Sequence, residues 1–320
     1  MSSILIVKTS SMGDVIHALP AVTDLLAQLP GTAVDWVVEE GFAELPRLHP
    51  GVRHVLPVAI RRWRKAWWTT AVRAELRTFR RSLVEADYDW VIDLQGLVKS
   101  AWIVRQVPAT RAGYDWASAR EPLASLAYDR RFAIARQQHA VARNRQLAAA
   151  ALGYTVSGLP DYGLSSTSAL VTDWLPPQPY IVCLHATSRA DKQWQPDGWA
   201  ELARRCHEQG LACVLPWGSA SEKTDAERLV QMMPNGIVAP RLSLTAAAGL
   251  LKGARATIGV DTGLSHLAAA VMCPVIALFT ASDPILTGVL GNGFVCNLGG
   301  IGKVPTVDEV WCKLNGVLAG

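Results

Sequence analysis

Charge is scarce in this 320-residue chain: Asp, Glu, Lys and Arg make up 18% of it, against 50% hydrophobic residues. Such a composition excludes a disordered tail, a collagen-like rod and a coiled coil. Cysteine is sparse as well. The six cysteines, at 183, 206, 213, 273, 296 and 312, include no C-x-x-C pair and no Cys/His group at zinc-site spacing. A disulfide framework and a zinc finger are therefore not expected, and a reduced, cytosolic protein is. Neither G-x-G-x-x-G nor a P-loop occurs, which leaves an NAD-dependent oxidoreductase without its glycine fingerprint. Lys8 interrupts the first apolar run and no cleavage-like site follows, so no secretory signal is expected. The 21 uncharged residues between Asp261 and Asp283 include Gly263, His266 and Pro274. They divide into a short helix and a buried strand rather than spanning a membrane.

What is present points to an α/β protein. The length suits two domains, each able to bury its own core. The run ILIVK (4–8) breaks at Thr-Ser-Ser-Met-Gly-Asp and is followed by an amphipathic helix over 15–29. Strands are expected at 33–38, near 54–58 and at 88–94, with a basic helical stretch over 63–86 and a helix after Gly96. A Ser/Thr/Gly/Pro-rich segment ends in Pro176-Pro177-Gln178-Pro179, and then the alternation restarts. Strands follow at 180–186, 211–215, 256–260 and 274–279. They are separated by helices at 196–209, 220–232, 243–252 and from Thr262, with a last helix over 306–318. Alternating apolar strands and helices imply parallel sheets. The expected organisation is two Rossmann-like domains, 1–160 and 179–305, with a linker at 161–178 and a C-terminal helix at 306–320. Ligands should bind at the carboxyl ends of the strands, in an interdomain cleft.

Charge separates the halves. Residues 1–155 hold 20 Lys and Arg against 14 Asp and Glu, a balance of +6; residues 156–320 hold 11 against 13, a balance of −2. The excess concentrates in Arg61-Arg62-Trp63-Arg64-Lys65-Ala66-Trp67-Trp68 and continues to Arg81, eight cations against Glu75 alone. Basic residues interleaved with tryptophan suit an anionic membrane surface or a nucleic acid.

Four loops at strand ends are candidate sites. Lys8-Thr9-Ser10-Ser11-Met12-Gly13-Asp14 presents a carboxylate at a helix start, where Asp14 fits either an N-cap or a general base. Asp261-Thr262-Gly263-Leu264-Ser265-His266 opens a helix after a buried strand. The free N–H groups of Thr262 and Gly263 suit a phosphate, while Asp261 as a plain cap and His266 as a packed side chain fit equally. His185–Trp194 offers Thr187, Ser188, Arg189 and Lys192 for a diphosphate, or is a solvated loop. Trp217 and Glu222 suit an adenine and its ribose, or a buried indole and a helix-start carboxylate. Asp87-Tyr88-Asp89 reads as a turn rather than a metal motif, and Cys183 and His185 share a strand face without further ligands nearby.

The segments LIVKTSSMGDVIHALPA, LPVAIRRWRKAW, REPLAS, HATSRADKQW and VDTGLSHLAAA closely resemble the bacterial lipopolysaccharide heptosyltransferases of glycosyltransferase family 9, along nearly the whole chain. RRWRKAW and REPLAS narrow the resemblance to the branch that adds the first heptose rather than the second. The resemblance implies a GT-B fold with an acceptor domain followed by a donor domain. It implies inverting transfer of L-glycero-D-manno-heptose from ADP-heptose to the inner Kdo of Kdo2-lipid A. Asp14 then matches the general base. Thr187, Ser188, Lys192, Asp261, Thr262, Gly263 and His266 match donor motifs, and Trp217, Glu222 and Leu242 would line the nucleotide, Leu242 where a methionine is usual. Lys192 would also assist departure of ADP. Lys8, Ser10, Arg61, Arg62, Lys65 and Arg120 would hold the acceptor anions. No metal or other cofactor is expected, nor a nucleic-acid partner. A monomer is expected, cytoplasmic and peripheral on the inner membrane.

Overall fold

The computed structural model describes residues 2–187 and 189–319. The chain divides into two compact units after Gly163. The first contains β1 (Ser3–Val7), α1 (Met12–Ile16), α2 (Leu19–Gln28), β2 (Ala33–Glu39), α3 (Glu44–Arg47) and β3 (Val52–Val58). It continues with α4 (Ile60–Ala66), α5 (Thr70–Glu85), β4 (Trp90–Asp93), α6 (Val98–Val104), β5 (Thr110–Tyr114), β6 (Arg130–Phe132) and α7 (Ala140–Leu152). All six strands are parallel, in the order β3-β2-β1-β4-β5-β6. Helices cover both faces of such a sheet, which is why Ile4, Leu5, Ile6 and Val7 are all fully buried instead of alternating.

The second unit contains β7 (Tyr180–Leu184), α8 (Pro196–Glu208), β8 (Ala212–Leu215), α9 (Ala220–Val230), β9 (Gly236–Val238) and α10 (Leu244–Gly253). After these come β10 (Ala256–Val260), α11 (Gly263–Ala270), β11 (Val275–Phe279), α12 (Pro284–Thr287), β12 (Val295–Gly299) and α13 (Val307–Ala319). Its strands run parallel in the order β12-β11-β10-β7-β8-β9. Counted from each unit's first strand, both sheets have the order 3-2-1-4-5-6 of a doubly wound Rossmann sheet. The chain order reverses between β1 and β4 in one unit and between β7 and β10 in the other. The uncharged stretch before Asp283 is α11 followed by β11, and among the described residues no helix is long and apolar enough to cross a membrane.

Several expected elements are corrected. The helix expected over 15–29 is two, because Pro20 lacks an N–H and starts α2 afresh. The basic stretch over 63–86 is also two helices, since the Thr69 hydroxyl accepts the Val72 N–H at 3.3 Å and caps a new start. In α5 the apolar residues Val72, Phe79 and Leu83 are buried while its arginines face out. Strands β5, β6, β9 and β12 and helix α7 were not anticipated. Asp87 lies in the short connection between α5 and β4, with a left-handed φ of 46°.

Glycine is required at Gly113 on β5, where a Cβ would come within 2.3 Å of the Tyr128 ring. That close approach lets the Tyr128 hydroxyl donate to Asp93 Oδ2 at 2.7 Å. Asp93, buried at the end of β4, also accepts from the N–H groups of Gln95 (2.8 Å) and Gly96 (3.1 Å) and the Ser100 hydroxyl (2.7 Å). One carboxylate thereby shapes the loop leaving β4.

Candidate active site

In the first unit the loops leaving β1 and β4 lie side by side where the strand order reverses, the usual ligand position of such sheets. Gln95 Oε1 accepts the N–H groups of Thr9 (3.0 Å) and Ser10 (3.2 Å), tying one loop to the other. Lys8 is buried, and its ammonium donates to Leu94 O at 2.7 Å and to Asn144 Oδ1 at 3.5 Å. Burial pushes its pKa down, against the pull of Asp14 and Asp93.

Asp14 is not the N-cap of α1. Ser11 holds that place, and Asp14, three residues on, turns back so that its Oδ2 accepts the Ser11 N–H at 3.0 Å. The carboxylate is partly exposed, and Arg120 Nη1 stands 3.6 Å from it. Capping thus fixes the orientation of Asp14 while leaving it open to a ligand. The second cation at this point is Lys99, on the first turn of α6, whose ammonium donates to Ser10 Oγ at 2.6 Å. Burial lowers the Lys99 pKa, opposed by Glu39 and Asp14 and reinforced by Arg61 and Arg120. Lys99 had escaped the sequence reading. Its signal was a lysine in the first turn of the helix that follows a strand at the reversal point.

The structure sorts the remaining expected acceptor residues. Arg61 and Lys65 are exposed on α4, whose first N–H groups, from Ile60 and Arg61, point to the Glu39 carboxylate at 3.4 and 3.2 Å. Arg62 is turned away and pairs with Glu40 at 3.1 Å and Glu75 at 3.0 Å.

In the second unit the loops after β7, β10 and β11 converge. Lys192 Nζ lies 2.6 Å from Asp261 Oδ2, and the Ser282 hydroxyl donates to the same oxygen at 2.6 Å. The Thr187 hydroxyl donates to Asp261 O at 3.1 Å, and the Thr280 hydroxyl to Asp191 O at 2.7 Å. Asp261 is thus not the cap of α11: Thr262 holds the N-cap position and Gly263 begins the helix. His266 is buried one turn in. Ser188 lies outside the described residues.

Trp217 Nε1 donates to Ala239 O at 2.7 Å, and Lys223 lies 5.7 Å from the centre of its ring. Glu222 accepts the Gly218 N–H at 2.7 Å, which closes the turn after β8, and Leu242 is half-buried before α10. The Cys183–His185 pair separates in role. Cys183 is in the core with Cys206 and Cys213, and His185 faces the Glu222 carbonyl at 3.2 Å, its pKa lowered by burial. Among the described residues no three His, Cys, Asp or Glu side chains are grouped to hold a metal ion.

Of the two Rossmann sheets, one carries a carboxylate among cations at its reversal point and the other a helix start with hydroxyls and a lysine at its own, an arrangement suited to a phosphorylated ligand. The family model described as glycosyltransferase family 9 (heptosyltransferase) matches residues 76–315. Lipopolysaccharide heptosyltransferase 1 of Pseudomonas aeruginosa is 52% identical over 294 residues, covering 91% of this chain and 82% of the relative. The solved structure of the E. coli heptosyltransferase WaaC with ADP superposes with a TM-score of 0.89 at 44% identity, covering 98% of this chain and 99% of that one. A second structure of the same enzyme, with ADP-2-deoxy-2-fluoro heptose, gives 0.88 at 44% identity with the same coverage. The chain belongs to glycosyltransferase family 9, the heptosyltransferases.

Proposed function

We propose that this protein transfers L-glycero-D-manno-heptose from ADP-heptose to the inner Kdo of Kdo2-lipid A. In this reading it works as a monomer at the cytoplasmic face of the inner membrane. The observation that carries the proposal is the Asp14 carboxylate, held by the Ser11 N–H and standing among Lys8, Lys99 and Arg120. An acceptor rich in phosphate and carboxylate is drawn to those cations, and the carboxylate in their midst, besides holding the Ser11 N–H, serves as the base.

Asp14 takes the proton of the acceptor hydroxyl as its oxygen attacks the anomeric carbon. The new C–O bond forms on the face opposite the breaking bond to the β-phosphate, so the configuration inverts, and the sugar passes through an oxocarbenium-like state. The charge that develops on ADP meets Lys192 and the N–H groups at the start of α11. Those groups supply the electrostatic stabilisation of the leaving diphosphate, so this reading assigns no step to a metal. Arg120, in a loose and exposed pair with Asp14, is free to exchange it for an acceptor anion.

The test is direct. Purified protein incubated with ADP-heptose and Kdo2-lipid A should yield a product heavier by one heptose in the mass spectrum, with release of ADP. No mass gain with this pair overturns the proposal, and gain only on an acceptor that already carries a heptose reassigns the acceptor.

A further inference from the structure

Beside Asp14 the first unit has a groove of about 610 Å³ between α4, α5 and α6. Its wall is apolar, with three tryptophans among aliphatic side chains: Trp63, Trp67, Leu76, Leu97, Val98 and Trp102 line it. Trp67 is 61% exposed and Trp102 46%, although each presents an indole that water solvates poorly. Apolar surface left open in this way marks a binding face.

Position says what the face is for. The groove's polar lining residues are Arg64, Lys99 and Glu121. Lys99 is the residue whose ammonium contacts Ser10 beside Asp14. Glu121 accepts the Val98 N–H at 2.6 Å and follows directly on Arg120, the partner of Asp14. The apolar groove therefore starts where the charged site ends. A ligand that fits both parts has an anionic head and a hydrocarbon tail. A peptide or a free sugar would leave one part unused.

We infer that the groove receives an acyl chain of the glycolipid acceptor while the sugar hydroxyl of that acceptor lies at Asp14. The inference rests on the acceptor reading proposed above and adds a subsite to it. Each methylene moved from water into such a groove tightens binding by about fourfold, so a short chain suffices for a measurable effect.

The experiment uses two soluble probes, a Kdo-bearing glucosamine disaccharide phosphate with and without one N-linked octanoyl chain, both monomeric in water. For the wild-type protein the chain should lower the acceptor KM at least tenfold with little change in kcat. In the double variant Trp67→Ser/Trp102→Ser that advantage should shrink to about twofold. Val98→Asp, at an exposed helix position, repeats the test by placing a charge in the groove. Melting temperature and affinity for ADP report that both variants are folded. If the chain confers no advantage on the wild-type protein, or if the advantage survives in both variants, the groove does not hold it. Transfer to neither probe by the wild-type protein would instead overturn the acceptor reading, and the subsite with it.

Discussion

Lys192 Nζ and Asp261 Oδ2 lie 2.6 Å apart, on side chains only 20% and 12% exposed, at the point where a diphosphate is expected to bind. A carboxylate there would repel phosphate if it stood alone. Paired with Lys192 and the Ser282 hydroxyl it instead fixes the direction of the lysine, so Asp261 is a positioning residue. Lys192→Met should weaken ADP binding and lower turnover about 10²- to 10³-fold, the usual cost of one lost stabilising donor. Asp261→Asn keeps an oxygen for Ser282 and leaves Lys192 charged, so ADP affinity should hold or rise while turnover falls about tenfold, through loss of aim rather than of charge. Calorimetry with ADP and single-turnover rates separate the two. Loss of ADP binding in Asp261→Asn would mean that Asp261 touches the donor itself.

Asp14 serves two ends with one carboxylate, capping α1 and facing the acceptor, and two substitutions divide them. Asparagine retains an oxygen for the Ser11 N–H, so Asp14→Asn should melt close to the parent and bind ADP as before, yet transfer heptose about 10²- to 10⁴-fold more slowly. Asp14→Ala also loses the capping-box hydrogen bond from the Ser11 N–H and should lose about 1 kcal/mol of stability. Normal turnover in the asparagine variant would reduce Asp14 to a cap.

The legible parts of the sequence were those governed by local chemistry. ILIVK and ATIGV read as strands because strands covered on both faces are apolar throughout, and the loops after them announce themselves by Ser, Thr, Gly and Asp. By contrast TRAGY and RRF carry arginines and a glycine, and become strands only by pairing with β4 and with each other. The arginine spacing of α4 and α5 runs on across Trp67–Thr69, hiding the break that the Thr69 cap creates. The candidate site was legible as loops but not as contacts. Lys99 meets Ser10 across 89 residues, and Lys192 meets Asp261 across 69. No local pattern encodes such meetings, so at Asp261 a plain cap and a phosphate site stayed equally open where the fold makes an ion pair.

His49 supplies a pH dependence for the first unit. The ring is buried, its Nδ1 accepts the Gly51 N–H at 3.1 Å, and its Nε2 lies 2.9 Å from Thr23 Oγ1. Burial lowers its pKa from 6.5 to about 4, against the opposing pull of Asp161. Because the folded value is depressed, the unfolded chain binds more protons between pH 6.5 and 4. Stability from this residue is complete above pH 6.5 and is lost as the pH falls towards 4, by about 3 kcal/mol in all. Urea unfolding at pH 7.5 and 4.5 should therefore show a loss in the wild-type protein that His49→Gln lessens by roughly that amount. Equal losses in the two proteins would show that His49 titrates normally in the fold.

Cations that the sequence grouped together should separate by what already neutralises them. Arg62 is matched by Glu40 and Glu75 on a solvent-exposed face, where such pairs contribute about 0–1 kcal/mol. An acceptor anion gains little from it, so Arg62→Ala should change the acceptor KM less than twofold and lower the melting temperature slightly as α4 and α5 lose a link. The Lys99 ammonium donates to the neutral Ser10 hydroxyl, and Arg120 stands 3.6 Å from Asp14, so each keeps charge to offer. One charge-assisted hydrogen bond is worth about 1.5–3 kcal/mol. Lys99→Met and Arg120→Ala should thus each raise the acceptor KM at least tenfold, with the donor KM unmoved, and the wild-type preference should fade with added salt. An Arg62→Ala variant impaired as much as Arg120→Ala would mean that Arg62 leaves its carboxylates when the acceptor binds.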